Sequence, residues 1–124
     1  MQVTRTEQDG WAVVAVAGEM DLLTSSAVRE KVHEAVADGR RSLVLDLADV
    51  RFCDSSGVGV LIGARRLMRS CAGRLRIVLP EDDADRGAGS HVNRVLAALG
   101  VRRLFEVYPD LEAATDESAR PLSA

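Results

Sequence analysis

The chain has 124 residues, is 47% hydrophobic and 28% charged, and carries a formal net charge of -3. This size fits a single domain with one buried core, and the apolar runs are too short to cross a bilayer, so we expect no membrane-spanning segment. The 16 basic residues are spread along the chain and aromatic residues make up only 3%, which argues against nucleic-acid binding because that function needs a basic surface and stacking side chains.

The first third of the chain predicts a hairpin followed by a helix. Residues 1–7 and 11–17 have the pattern of two strands, and the turn residues 8–10 between them favour a β-hairpin. From Thr24 to Asp38 apolar residues recur at spacings of three and four, which predicts an amphipathic helix. The candidate N-caps of this helix are the hydroxyl residues Thr24, Ser25 and Ser26.

The middle of the chain predicts a central strand, a second helix and another strand. Leu43 to Leu47 (LVLDL) is a nearly continuous apolar run, as expected for an interior strand at the centre of the sheet. A second amphipathic helix follows the sequence DSSG, Asp54 to Gly57, and stops at Gly73. Residues 74–79 (RLRIVL) predict the next strand.

The last third predicts a loop and two helices with a short apolar piece between them. Residues 81–89 (EDDADRGAG) are acidic and rich in glycine, which predicts an exposed loop. Ser90 is the candidate cap of a helix that ends at Gly100. The short apolar piece 101–107 precedes a last helix from about Asp110.

Strands that alternate with helices indicate one α/β domain, residues 1–116, followed by a flexible tail at residues 117–124. We expect a mixed, mostly parallel sheet of about four to five strands with an N-terminal β-hairpin and about four helices. Cys53 and Cys71 form no disulfide or zinc-binding pattern, and the N-terminus lacks the apolar core of a secretory signal. These features predict a cytoplasmic protein without a cofactor or a bound metal.

Two polar turns follow predicted strands. Gly18 to Asp21 (GEMD) comes after the second strand, and DSSG comes after the central strand. Ligand sites in open α/β sheets lie at the carboxyl ends of the strands. If the two strands are parallel neighbours, Asp21, Asp54 and Ser55 therefore lie on one surface.

Three segments in this order and spacing resemble the STAS domain of bacterial anti-sigma factor antagonists: GEMD, LVLDLADV (Leu43 to Val50) and DSSGVGVLIGA (Asp54 to Ala64). The resemblance covers nearly the whole chain and implies a STAS-like fold. DSSG is fairly specific for this family when GEMD lies roughly 30 residues upstream of it, whereas either motif alone is a weak signal.

The resemblance also implies a regulated function. In this family the hydroxyl residue after the aspartate is phosphorylated by a partner that is both an anti-sigma factor and a serine kinase with a histidine-kinase-type ATPase domain; by position this residue is Ser55. The unphosphorylated antagonist binds the kinase and frees the sigma factor, phosphorylation ends the binding, and a PP2C-type phosphatase restores it. No direct contact with nucleic acid or membrane is implied.

The expected partner-binding surface surrounds Ser55. Its two glycines lack a Cβ and allow another protein to approach the helix start closely. The partner-binding residues that we predict are Glu19, Asp21, Asp54, Ser56, Gly57 and Gly59. A simpler interpretation remains for Ser56, as a cap or hydrogen-bonding support, and for Asp21, as an ordinary loop acid.

Other functions fit this sequence less well. A small serine-dependent hydrolase would need a base near Ser55, but DSSG is not G-x-S-x-G and neither histidine follows a strand in the expected way. A nucleotide phosphatase or NTPase is a still weaker candidate, because Gly57-Val58-Gly59 lacks the lysine of a P-loop. Within the resemblance, an interaction module of a stress-sensing or lipid-transport complex stays open as an alternative.

Four further residues carry side chains that can ionise or bind metals. We expect Asp46 to be a paired or edge-facing acid in its strand, and His33 and His91 to be solvated because neither has a second metal ligand at a suitable spacing. Cys53 has the pattern of a small buried residue, with a reactive thiol of lowered pKa beside a helix N-terminus as the alternative.

Overall fold

The computed structural model describes residues 2–79 and 90–118. The strands within these residues are β1 (Gln2–Gln8), β2 (Trp11–Met20), β3 (Ser42–Cys53), β4 (Arg74–Val78) and β5 (Glu106–Tyr108). The helices are α1 (Ser25–Ala37), α2 (Ser55–Ser70), α3 (Ser90–Ala98) and α4 (Leu111–Ala114), with one short 3-10 turn at Arg102–Leu104. None of the helices in this part of the chain is long and apolar enough to cross a membrane.

The five strands form one sheet in the order β1-β2-β3-β4-β5. β1 is antiparallel to β2, and the other neighbours are parallel. The hairpin turn consists of Asp9 and Gly10, which both have positive φ angles of 52° and 86°. Such angles are typical of the two-residue turns whose twist matches that of the flanking strands. The predicted α/β fold, its hairpin and the central place of the LVLDL strand are confirmed.

The helices cover the two faces of the sheet unequally. Side chains of α1, α2 and α3 pack on one face, where Val14, Leu45 and Leu61 belong to a large continuous core. The other face carries a smaller cluster, which includes Trp11 and Tyr108, under α4. An interior strand between two packed layers needs apolar residues on both sides, which is why the first half of β3 carries the nearly continuous apolar run Leu43–Leu47.

Strands β2 and β3 are both longer than the sequence predicts. Residues Gly18, Glu19 and Met20 still pair with β3, so of the predicted GEMD turn only Asp21 lies beyond the strand. The register shifts on either side of Gly18, whose φ of 102° suits glycine, and the strand bends there without ending. β3 likewise continues past Leu47 to Cys53, directly before the second polar motif.

The helix ends correct several predictions. Thr24 precedes α1 but makes no side-chain cap, so the predicted hydroxyl caps are wrong. Instead, the Thr24 backbone N–H donates to the Asp21 carboxylate at 3.1 Å. The short apolar piece 101–107 holds a 3-10 turn in its first half and leads into β5. The predicted helix after Asp110 is confirmed, and the Asp110 carboxylate caps it by accepting from the Ala113 N–H at 2.8 Å.

The predicted acidic loop, residues 81–89, lies outside the described residues, and so does the predicted tail, residues 117–124, from residue 119 onward. The first predicted tail residue, Glu117, accepts two hydrogen bonds from Arg74, at 2.7 and 2.9 Å.

Candidate phosphorylation and partner-binding site

The two polar motifs meet at one edge of the sheet. β2 and β3 are parallel, and the last residues of the two strands, Met20 and Cys53, are paired. One residue later, the Asp54 N–H donates to the Met20 carbonyl at 3.1 Å. The prediction that Asp21, Asp54 and Ser55 share one edge is therefore confirmed by the strand geometry.

Asp54 is the N-cap of α2. Its backbone is extended, and its Oδ1 accepts hydrogen bonds from the N–H groups of Ser56 at 2.8 Å and Gly57 at 3.1 Å. These bonds satisfy two of the backbone donors that a helix start leaves unpaired. The carboxylate is thereby fixed in place, and its negative charge lies beside the first residue of the helix.

Ser55 is the first residue of α2 and is exposed, whereas Ser56 is half-buried. No residue that the structure describes hydrogen-bonds the Ser55 hydroxyl. Because Asp54 provides the cap, Ser55 is not needed for that purpose. Ser56 contributes its backbone N–H to the cap rather than its hydroxyl.

The two glycines of the motif have different surroundings. Gly57 is buried, and a Cβ there would lie 2.6 Å from the Met20 carbonyl oxygen and 2.7 Å from the Cys53 Sγ. Its missing side chain therefore lets α2 pack against the ends of β2 and β3. Gly59 is exposed, and a Cβ at that position would meet nothing within 4 Å. The predicted approach of a partner is thus sterically open at Gly59.

Asp21 organises the turn between β2 and α1. Its Oδ1 accepts from the N–H groups of Leu23 at 3.0 Å and Thr24 at 3.1 Å, and the Thr24 hydroxyl donates to the Glu19 carbonyl at 2.8 Å. The Glu19 side chain is exposed and forms an ion pair with Arg51 at 3.4 Å. Asp21 therefore lies next to Asp54 at the start of α2, because Met20, the residue before Asp21, bonds to the Asp54 N–H, whereas Glu19 pairs with Arg51 on β3.

His91 is a residue that sequence reasoning placed wrongly. It is not fully solvated: its ring stacks on Phe52 with a centroid distance of 5.2 Å, and its Nε2 donates to the Cys53 carbonyl at 3.3 Å. These contacts tie the start of α3 to the end of β3. Nothing in the local sequence of His91 signals them, because Phe52 is 39 positions away.

Cys53 is buried directly before the motif. Burial, and secondarily the charge of Asp54, raises the pKa of its thiol to about 11. The alternative of a reactive thiol with a lowered pKa is therefore wrong, and the interpretation as a small buried residue is confirmed. The thiol lies too deep for the helix N-terminus to outweigh the cost of burying a thiolate.

The remaining titratable candidates lie away from this edge. Asp46 is half-buried within β3, where burial raises the pKa of its carboxyl and its Oδ1 accepts from the Ala48 N–H at 3.1 Å. His33 is exposed on α1, as predicted. Among residues 2–79 and 90–118 no group of three or more histidine, cysteine or acidic side chains could hold a metal ion.

Comparison with known proteins identifies the fold family. The family model for the STAS domain matches residues 2–114. The Mycobacterium tuberculosis protein named anti-sigma-F factor antagonist RsfB is 42% identical over 59 residues, which are 48% of each chain, so the match spans about half the length of this relative. The anti-sigma F factor antagonist of Paenibacillus polymyxa is 28% identical over 109 residues, covering 87% of this chain and 86% of its own.

A solved structure extends the likeness to three dimensions. The crystal structure of an anti-sigma factor antagonist from Mycobacterium paratuberculosis has a TM-score of 0.77 and 28% identity, covering 91% of this chain and 89% of that one. The family model spans β1 to α4, which includes both polar motifs and all five strands. The chain belongs to the STAS domain family.

Proposed function

We propose that this chain is an anti-sigma factor antagonist whose binding is switched by phosphorylation of Ser55. In its unmodified form it binds an anti-sigma factor that is also a serine kinase with a histidine-kinase-type ATPase domain, and the sigma factor is released. Phosphorylation of Ser55 by that kinase ends the binding, and a PP2C-type phosphatase renews it. The names of the mycobacterial and Paenibacillus relatives support this assignment.

The main observation in support of the proposal is that Ser55 is exposed, while Asp54 and not Ser55 caps the helix. The hydroxyl is accessible to a kinase, and Asp54 keeps the helix start in place whether or not Ser55 is modified. Backbone N–H groups at a helix N-terminus also favour an anionic group, so an added phosphate is compatible with the folded domain.

Phosphorylation changes the surface rather than the fold in this proposal. It adds about -1.5 to -2 charges at pH 7 beside the carboxylates of Glu19, Asp21 and Asp54. A partner that fits the small neutral serine then meets added bulk, like-charge repulsion and the cost of desolvating the phosphate. We infer that the switch acts by direct obstruction of the interface, in which Ser56 and the exposed Gly59 also take part. The buried Gly57 contributes to this surface only indirectly, because it lets α2 pack closely on the ends of β2 and β3.

In this proposal the chain is a binding protein of the cytoplasm and not an enzyme. The nearest histidine to the motif, His91, bonds to the Cys53 carbonyl, so it is not oriented as a base toward Ser55. The phosphoryl chemistry belongs to the kinase and the phosphatase.

A pull-down from the native host with four baits tests the proposal: wild type, Ser55→Ala, Ser55→Asp and the matched control Ser56→Asp. We expect the wild type and Ser55→Ala to retain a small kinase-like ATPase, identified by mass spectrometry, and Ser55→Asp to lose it. Ser56→Asp adds the same charge one residue later and should weaken retention less. Equal retention by all four baits would contradict the switch, and retention of a stress-sensing or lipid-transport assembly instead would favour that alternative role.

A further inference from the structure

Two consecutive leucines are exposed in the turn between β2 and α1. The exposed fraction is 76% for Leu22 and 87% for Leu23. In the part of the chain that the structure describes, the other exposed large apolar side chains are Phe52, Leu99 and Leu104, at 54% or less. Single exposed apolar residues are common. Two adjacent leucines that are both largely exposed indicate a surface that another molecule covers.

The backbone of this turn is fixed. Asp21 accepts hydrogen bonds from the N–H groups of both Leu23 and Thr24, and the Ser25 N–H donates to the Asp21 carbonyl at 2.9 Å. The leucines are therefore presented outward by a held turn. A presented side chain loses less conformational freedom when it binds, which favours its use as an anchor.

The leucines lie next to the proposed phosphorylation site. Leu22 follows Met20 by two residues, so its Cα lies within about 8 Å of the Met20 Cα, since consecutive Cα atoms are about 3.8 Å apart. The Met20 carbonyl accepts the hydrogen bond from the Asp54 N–H, and Ser55 is the next residue. A partner that covers the start of α2 therefore reaches this turn as well.

We propose that Leu22 and Leu23 are the apolar anchor through which the chain holds its anti-sigma factor. This inference rests on the proposed function and names residues that the binding motif itself does not contain. Asp21 directly precedes the leucines, Asp54 bonds to the neighbouring Met20, and the basic side chain of Arg51 is paired with Glu19. The matching surface on the anti-sigma factor is accordingly an apolar pocket bordered by arginine or lysine side chains.

The anchor and the switch have separate tasks in this arrangement. Burial of the leucines supplies affinity that ionic screening does not weaken, because the hydrophobic effect involves no charge. Phosphorylation of Ser55 adds charge and bulk, which weaken the binding of the anti-sigma factor that the leucines otherwise stabilise. Removal of the leucines should weaken binding without preventing the fold or exposing the core.

The test uses the full chain and the purified anti-sigma factor that the wild type retains from the host. Calorimetry at low and at high salt measures the dissociation constant of the complex between the anti-sigma factor and each form of the chain. The forms are the wild type, the Leu22→Ser/Leu23→Ser double variant and the control Leu99→Ser. We expect the double variant to bind at least tenfold more weakly at both salt concentrations, because burial of two leucine side chains contributes more free energy than a tenfold change in affinity represents. Leu99→Ser replaces an exposed leucine elsewhere, at the end of α3, and should bind like the wild type.

The possible outcomes separate the two proposals. If the wild type binds the anti-sigma factor and the double variant binds equally well, the anchor is overturned and the proposed function stands. If the wild type binds no anti-sigma factor, the proposed function fails and the anchor fails with it. A thermal melt of each variant checks the fold, and we expect all melting temperatures to agree because these side chains are exposed.

Discussion

The absence of a side chain at Gly57 lets α2 approach the sheet closely. A Cβ at this position would lie 2.6 Å from the Met20 carbonyl oxygen, inside any normal contact, and that oxygen also accepts the Asp54 N–H. We therefore expect Gly57→Ala to lower the free energy of unfolding by about 1–3 kcal/mol, as overpacking typically does. Urea unfolding followed by circular dichroism measures the change.

Gly59 is the matched control for this prediction. A Cβ there would meet no atom within 4 Å, and the residue lies in the same helix. Alanine should therefore raise the free energy of unfolding by about 0.5–1 kcal/mol through helix propensity alone. If Gly57→Ala proved as harmless as Gly59→Ala, the close packing of α2 on Met20 would be incorrect.

Cys53 should make stability depend on alkaline pH. The unfolded thiol ionises near its ordinary pKa of 9.0, whereas the folded thiol keeps its proton up to a pKa of about 11. The stabilisation is thus fully present below pH 9, and the free energy of unfolding falls as the pH rises from about 9 to about 11. Urea unfolding over this pH range should show a shallower decline for Cys53→Ala than for the wild type.

Tyr108 also contributes to the decline of the free energy of unfolding at alkaline pH. Burial raises the pKa of its phenol as well, so some decline remains in Cys53→Ala. A slope identical to that of the wild type would mean that the Cys53 thiol is not protected by burial.

Contacts between neighbouring residues of the site could be predicted from the sequence, whereas contacts between distant residues could not. Asp54 and Ser55 could be placed at a helix start because capping depends on neighbours within the same turn. The stacking of His91 on Phe52 could not be predicted, since it joins two elements that are far apart in the sequence. For the same reason the burial of Gly57 against Met20 became visible only in the structure.

At the scale of elements, α4 is held to the sheet by the buried side chain of Arg76. Its guanidinium lies 4.6 Å from the Trp11 ring centroid and 4.8 Å from that of Tyr108. It donates to the carbonyls of Ala114 and Asp116, each at 3.0 Å. These two carbonyls lie at and just beyond the end of a four-residue helix that has little apolar surface of its own.

Removal of this side chain should release α4. We expect Arg76→Ala to lower the free energy of unfolding by about 2–4 kcal/mol, because charge-assisted hydrogen bonds and ring contacts are lost from a buried position. The control is Arg74→Ala, since Arg74 also lies over Trp11, at 4.5 Å, but is exposed and pairs with the exposed Glu117. Its loss should cost about 1 kcal/mol or less.

Urea unfolding of both variants measures the difference, and equal losses would show that burial of the guanidinium contributes nothing. Hydrogen exchange in residues 111–114 gives an independent measure of whether α4 has been released.

The elements themselves were largely predictable because their patterns are local. The apolar run at Leu43–Leu47 and the period of α2 both identify buried faces directly. The ends of β2 were not predictable, since Gly18 and Glu19 have the composition of a turn. Their pairing with Val50 and Phe52 on β3 overrides that local preference.

For the whole molecule, the fold separates its stability from its proposed switch. The core lies between the sheet and α1, α2 and α3, whereas Ser55 lies at the edge where β2 and β3 end. A charge added at that edge changes what the surface can bind without entering the core. Phosphorylated chain should accordingly keep the circular dichroism spectrum of the unmodified chain.

The most direct measurement of the central claim is the affinity of the purified anti-sigma factor for this chain before and after treatment with that protein and ATP. Peptide mass spectrometry assigns the phosphate, with Ser55→Ala and Ser56→Ala as matched variants. We predict a single phosphate on Ser55, present in the wild type and in Ser56→Ala, and a loss of affinity of at least about tenfold. A phosphate on Ser56, or an affinity unchanged by phosphorylation of Ser55, would contradict the account.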